Sequence, residues 1–171
     1  MSKIPLTPLP VDLASPVFAA ISQWEFQEDF VARIFADDIP QRMKYQNGAL
    51  WAYLNLDKTI VAFGTLCVCD EYGTLTDGQL HIYIPLLGVH PDQRGLGHGR
   101  SVVDHLVSEA ARIVKASAGH LHHAVFLDVY ENSVAAIGLY DKCGFQPLGS
   151  GQFIDPLNNE PYRVMVKRVS E

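Results

Sequence analysis

The chain has 171 residues, a formal net charge of −6 and a hydrophobic fraction of 48%, which suits a single globular domain over residues 1–171 that buries roughly two thirds of its unfolded surface without a staple. The acidic balance argues against nonspecific binding to nucleic acid or an anionic membrane, and mildly suits a cationic small substrate. The opening MSKIPLTPLPVDL lacks the apolar core of a signal peptide, and no run reaches the ~18 apolar residues of a membrane span, so the expected location is cytoplasmic.

Residues 3–10 are proline-rich and predict at most a short edge strand, because each proline removes a ladder donor. From Pro16 to Phe35 the apolar residues Phe18, Ile21, Trp24, Phe26, Phe30, Val31, Ile34 and Phe35 recur mostly at helical steps. Asp37, Asp38 and Pro40 are expected to end that helix, and Gln41 to Gln46 reads as a second short one closing at Asn47-Gly48. Ala49–Leu54 and Thr59–Cys69 are strand-like runs joined by a hairpin at Asn55–Lys58, and the turn-rich Asp70–Gly78 leads to a third strand over Leu80–Val89. The result is an antiparallel meander, whereas a dinucleotide fold would open with a parallel strand and a helix.

Cys67 and Cys69 sit two apart in the second strand, which makes them small buried residues of one face. The spacing is not that of a zinc or redox pair, and Cys143 leaves the count odd, so neither a metal nor a disulfide is expected.

Two residues of the third strand break its rules. Pro85 cannot donate to a neighbour and Gly88 has nothing to pack, so the strand is expected to lose a partner partway along, with a bulge near Gly88 and an edge open to another backbone or an extended ligand. Pro91-Asp92-Gln93 then turns the chain into Arg94-Gly95-Leu96-Gly97-His98-Gly99-Arg100, whose alternate glycines let successive N–H groups converge on an anion at the start of a helix. That helix is marked by Val102, Val103, Leu106, Val107, Ala110, Ile113 and Val114, with Lys115 near its end and Gly119 as the expected left-handed cap. Walker A and the dinucleotide GxGxxG are both absent, the latter because Arg100 stands where its third glycine belongs.

His122 to Tyr130 predicts a strand whose Phe126, Asp128 and Tyr130 face opposite to Val125, Leu127 and Val129. A helix over about Val134 to Lys142 follows, with Asn132 or Ser133 as N-cap and Gly144 at C′, and Leu148–Ile154 with Tyr162–Val169 form a closing hairpin. The tract His120, His122, His123 has no carboxylate or cysteine at ligand spacing, and His98 and His105 read as helix-surface residues.

The pairing of VHPDQRGLGHGR with AAIGLYDKCGF about forty residues later resembles the GNAT superfamily of acyl-CoA-dependent N-acyltransferases, over roughly Thr59 to Val169. The resemblance implies an α/β fold of the α+β type, with a mixed, mostly antiparallel central sheet splayed between the family's strands 4 and 5 and flanked by helices. It implies acetyl-CoA as co-substrate, held at its pyrophosphate by Arg94, Gly95, Leu96, Gly97, His98, Gly99 and Arg100 and at its pantetheine arm by the backbone of Leu87, Gly88 and Val89. Tyr140 matches the family tyrosine that protonates the departing thiolate, a phenol being a sensible acid for a thiolate of similar basicity. The family's coenzyme-binding asparagine falls on Ser133, with Asn132 one residue early, so both are candidates. The reaction implied is direct attack of an amine on the thioester in a ternary complex, with the Val89 amide polarising the carbonyl. Candidates for the base are His81, Tyr83, Asp128 and Glu28, His81 leading because its ordinary pKa suits neutral pH.

The expected acceptor is a small-molecule amine or a protein amino group. The first helices and the closing hairpin, where Trp24, Phe26, Phe30 and Tyr45 could line a pocket, do not identify it. A homodimer through the closing strands is common in the family. The alternative to a transferase is a module of the same fold that senses acyl-CoA without turnover.

Overall fold

A computed structural model of the chain describes residues 4–24, 34–70, 79–117, 119 and 121–170. Among the described residues nine strands make one sheet: β1 (Thr7–Pro10), β2 (Gln46–Leu54), β3 (Ile60–Cys69), β4 (Leu80–Tyr83), β5 (Leu87–Val89), β6 (Leu121–Tyr130), β7 (Gln146–Pro147), β8 (Phe153–Ile154) and β9 (Pro161–Arg168). The order is β1-β2-β3-β4-β6-β9-β7, with β5 paired to β3 and β8 to β9. All the pairings are antiparallel except β4 with β6. The α-helices among the described residues are α1 (Pro16–Ser22), α2 (Ile39–Arg42), α3 (His98–Ala116) and α4 (Val134–Lys142).

The β period of two assigns the sheet to two cores. Ala62, Leu66 and Val68 of β3, Ile82 of β4 and Val125, Leu127 and Val129 of β6 face α3 and α4, where Val102, Val103, Leu106, Ala110 and Ile113 supply the opposing stripe. Burying each such side chain is worth ~1.5–3 kcal/mol, which explains why this face carries the 19-residue helix. On the other face Leu50, Ala52 and Phe63 pack under Ile21, Phe35 and Ile39. Farther along that same face lie Cys67, Cys69, Tyr83, Ala124, Phe126 and Val164. The paired cysteines therefore do share one face, both buried.

Several boundaries differ from expectation. α1 starts at Pro16 under a Ser15 side chain that accepts from Phe18 N–H, and it stops at Ser22, while Phe26, Glu28, Phe30 and Val31 lie outside the described residues. Asp37, Asp38 and Pro40 do not break a helix: a π-helical turn, Ile34–Asp38, runs straight into α2, whose first turn accommodates Pro40 because its missing N–H would be unpaired there anyway. Asn47 is left-handed at φ 52° but belongs to an irregularity between Gln46 and Ala49 of β2, not to a helix cap. Gly119 is left-handed at φ 98°, yet α3 has already ended at an extended Ser117.

The expected third strand is two strands. Ile82 pairs with Val68 and Gly88 with Phe63, so the register slips by one residue across Ile84-Pro85-Leu86. The interruption centres on Pro85, and Gly88 lies inside the re-formed ladder. Thr65 holds the kink, its N–H and hydroxyl both donating to the Leu86 carbonyl (2.9 and 2.8 Å) and its hydroxyl accepting from Leu86 N–H.

Candidate active site

The kink splits the sheet. β4 and β6 run together as far as Tyr83 opposite Phe126, closed by a last bond from Ile84 N–H to the Phe126 carbonyl at 3.0 Å. The next rung would set Asp128 opposite Pro85, which has no N–H to offer. Beyond it the bond from His90 N–H to the Val61 carbonyl and that from Thr65 N–H to the Leu86 carbonyl show that even-numbered residues of β5 bond to β3. The N–H and C=O groups of Leu87 and Val89 therefore point the other way, into the gap, and those of Gly88 point to β3. On the facing strand the bonds Val169 N–H to His123 and Glu131 N–H to Pro161 turn odd residues toward β9, which leaves Asp128 and Tyr130 facing the same gap. The result is a wedge whose two walls turn strand backbone toward each other without a ladder between them.

At the mouth of the wedge stands the glycine loop. His90 Nδ1 accepts from Asp92 N–H at 3.2 Å and starts the 3-10 turn Pro91–Gln93, which delivers Arg94. Gly97 caps α3 at φ 85°, a conformation that L side chains rarely adopt. The first intrahelical bond runs from Ser101 N–H to the Gly97 carbonyl at 3.3 Å, so the amides of His98, Gly99 and Arg100 precede it and face outward from the helix start. A Cβ at Gly99 would fall 3.0 Å from Leu139 Cδ2, so glycine also lets α4 approach the loop closely. Arg94 turns back on the wedge, its Nε donating to the Val89 carbonyl at 3.5 Å. Gly95 and Leu96 are exposed, but His98 is only 5% exposed, against the expectation of a surface histidine. Its Nδ1 is buried without a hydrogen-bond partner, and burial holds its pKa down.

One contact here was not legible in the sequence. Ser101 Oγ donates to the Ile4 carbonyl at 2.9 Å, and Ile4 Cδ1 would lie 3.9 Å from a Cβ at Gly97, so the N-terminal segment straps the first turn of α3.

α4 carries Tyr140 on its core side. Its end is a Schellman motif: Gly144 N–H bonds to Asp141 and Phe145 N–H to the Tyr140 carbonyl, both at 3.0 Å, with the Phe145 and Tyr140 rings 5.8 Å apart. Burial, and secondarily Cys143, push the phenol's pKa well up, so it stays protonated. At the other end Ser133 occupies the N-cap position but its side chain makes no cap bond, and Asn132 is exposed, leaving both side chains at the wedge rim with no hydrogen bond among the described residues.

The candidate bases fall in different places. His81 is 2% exposed and pairs opposite Cys69, in the closed part of the sheet; its ring stacks on His122 at 4.5 Å and meets the edge of Phe126 at 5.0 Å. Tyr83 is fully buried at the last paired position, and Glu28 lies outside the described residues. Asp128 stands on the wedge wall, on the face opposite α3 and α4. Its Oδ1 is buried with no hydrogen-bond partner among the described residues, and burial pushes its pKa up to about 7 although the Arg42 charge pulls it down. The signal for it was a lone carboxylate in the apolar run AVFLDVY. Of the aromatic candidates for an acceptor pocket, Trp24 packs on Phe63 and His90, and Tyr45 lies 5.6 Å from the Arg42 guanidinium.

A cavity of about 300 Å³ lies elsewhere, lined by Gln46, Asn47, Ile113, Ser117 and Leu121 at the closed end of the sheet. It touches neither wall of the wedge, and unpaired strand backbone is the stronger guide to a ligand than concavity alone. Among the described residues no three of His, Cys, Asp and Glu are grouped to hold a metal, and no helix is long and apolar enough to cross a membrane.

In sequence, the Acetyltransferase (GNAT) family matches residues 15–145. No curated relative matches the chain. Among solved structures, the NatC complex bound to Gag peptide and coenzyme A aligns with a TM-score of 0.65 at 17% identity, covering 96% of this chain and 99% of that one. NAA60 from Arabidopsis thaliana in complex with acetyl-CoA gives 0.61 at 15% identity, covering 96% and 99%. The spermidine/spermine N-acetyltransferase SpeG from Vibrio cholerae gives 0.63 at 13%, covering 95% and 92%. Identities this low speak to the fold, a mostly antiparallel open sheet flanked by helices.

Proposed function

The chain belongs to the acetyltransferase (GNAT) family, and from that premise we propose that it moves an acetyl group from acetyl-CoA to a primary amine of a small molecule or a protein, by direct attack in a ternary complex. What supports this reading is the wedge: the backbone of Leu87 and Val89, turned away from β3 into the gap, leads to the outward amides of His98, Gly99 and Arg100. An extended ligand with amide groups and a pyrophosphate at one end has a partner at each point, strand-like along β5 and anionic at the start of α3.

The co-substrate brings an activated thioester; the rest falls to this chain. Val89 N–H donates to the thioester carbonyl oxygen as negative charge develops there. For the Val89 carbonyl to accept from the pantetheine arm, Arg94 must release it. Tyr140 approaches from the side of α3 and α4 as the proton donor to the leaving sulfur, while Asn132 or Ser133 adds a hydrogen bond at the rim. The acceptor amine enters from the opposite face, over Tyr83 and Phe126.

The test is thiol release from acetyl-CoA over a panel of amines, amino acids, polyamines, aminoglycosides and N-terminal peptides, together with thermal shift by coenzyme A. Turnover of at least one acceptor is expected, with a Tm rise corresponding to ~2.7 kcal/mol at a hundredfold excess over Kd. Tyr140→Phe should lower kcat by ~10²-fold or more at little change in coenzyme affinity. A wild-type kcat in that variant removes Tyr140 from the mechanism. Tight coenzyme binding without turnover across the panel would leave a sensing module instead.

A further inference from the structure

We propose that Asp128, rather than His81, is the residue that takes the proton from the attacking amine, an assignment that rests on the acetyl-transfer reading above. Three observations carry it. Asp128 lies at the first position past the last bond between β4 and β6, so its strand forms a wall of the wedge in which the thioester would lie. Its side chain shares a face with Phe126 and Tyr130, opposite to Val125, Leu127 and Val129, which pack beneath α3 and α4. Tyr140 lies on that helical side, so the wedge separates an acid on one face from a carboxylate on the other, which lets one group serve the nitrogen and the other the sulfur of the tetrahedral intermediate. Finally, the carboxylate Oδ1 is buried with no hydrogen-bond partner among the described residues. A buried carboxylate oxygen left without a donor is costly unless some ligand donates to it, and an ammonium does so. His81, by contrast, is in the closed part of the sheet, packed between His122 and Phe126.

The groups facing Asp128 set its proton affinity. Arg42 from α2 favours the carboxylate, while burial outweighs it. Tyr162, opposite Tyr130 on β9, is itself raised by burial, Asp128 and Asp155. Asp155 is held by the Tyr130 hydroxyl at 2.5 Å. His81 and Tyr83 occupy the same face of β4. A carboxyl balanced near neutrality is suited to accept a proton at physiological pH and to return it to solvent.

The step balances as follows. The ammonium gives one proton to Asp128, and the free amine attacks the thioester carbon. The C–N bond forms, the C–S bond breaks, and the thiolate takes the Tyr140 proton. The second nitrogen proton, acidic once the amide forms, restores the phenol, and Asp128 releases its proton to water, so one proton leaves per turnover.

The experiment is a kcat/KM profile from pH 5.5 to 9.5 on the full chain, with acetyl-CoA and the best acceptor of the panel, for the wild type, Asp128→Asn and His81→Asn. The wild type should rise to a plateau through an acid limb near pH 7. Asp128→Asn should lose 10²–10⁴-fold at pH 7.5 and lack that limb, its residual rate climbing with deprotonation of the amine in solution, while its coenzyme A Kd and Tm show it folded. His81→Asn should keep the limb. A limb preserved in Asp128→Asn, or lost only in His81→Asn, overturns the assignment while acetyl transfer stands. Absence of thiol release by the wild type with every amine overturns both.

Discussion

Tyr53 and His105 show how single residues anchor the long helix to the sheet. The Tyr53 hydroxyl lies 2.9 Å from His105 Nδ1, and the His105 ring is edge-on to both Trp51 and Tyr53, so β2 and the middle of α3 are joined where the sequence suggested only a surface histidine. Burial, opposed by Glu109, lowers the His105 pKa, so the ring that shares this hydrogen bond with the phenol favours its neutral form. Tyr53→Phe should therefore cost ~1 kcal/mol, read as a lower denaturation midpoint at unchanged m. The clasp is also pH-sensitive. The unfolded chain protonates this histidine near ~6.5 and the folded chain only at lower pH, so between the two values the unfolded state binds more protons. Stability from His105 is full above ~6.5 and falls as the pH drops below it. Equilibrium unfolding at pH 5 and pH 7.5 should show that loss in the wild type and less of it in His105→Gln.

Among the elements, α3 is the one on which the proposed coenzyme site depends, and it is positioned from outside its own sequence. Ser101 reaches the Ile4 carbonyl, and Ile4 lies over the Gly97 cap, so a segment ninety-seven residues away in sequence holds the loop that presents three outward amides. Ser101→Ala is expected to raise the Kd for coenzyme A severalfold, while kcat at saturating acetyl-CoA stays near the wild type. An unchanged Kd with only a lower Tm would show the strap to be structural. The wedge is an element-scale product too. Pro85 interrupts β4, Thr65 holds the kink, and β5 resumes on β3 one residue out of register, which leaves Leu87 and Val89 unpaired toward β6. The loss of a neighbour was legible at Pro85 because proline lacks a donor. The position of the break was not, since it depended on where β3 could accept a shifted strand, and so Gly88 was a misleading marker for the bulge.

For the whole molecule, the proposed reaction gives one face of the sheet to the donor and the other to the acceptor, and the cost of Asp128 belongs to this scale. Its folded pKa of about 7 stands above its unfolded value, so between those values the folded state binds the extra proton and stability falls as pH rises. Asp128→Asn should accordingly be more stable than the wild type at pH 8, by ~2–4 kcal/mol at 1.36 kcal/mol per pKa unit. The gain should shrink toward pH 4, where the wild-type carboxyl is already neutral in the folded state. Chemical denaturation at the two pH values measures both.

The sequence by itself determined the edge strand at Thr7–Pro10, the glycine loop with its helix, the strand and helix that follow over Leu121–Tyr130 and Val134–Lys142, and the cap at Gly144, because each rests on local backbone chemistry or short-range periodicity. The closing strands are shorter than the expected Leu148–Ile154, with Gln146–Pro147 and Phe153–Ile154 paired separately to β9. Tertiary structure decided which histidines are buried, where the sheet parts, and which wedge wall carries a carboxylate. Those depend on partners far apart in the chain, Ile4 with Ser101, Tyr53 with His105, Thr65 with Leu86, and on the desolvation that only a closed core imposes on Asp128.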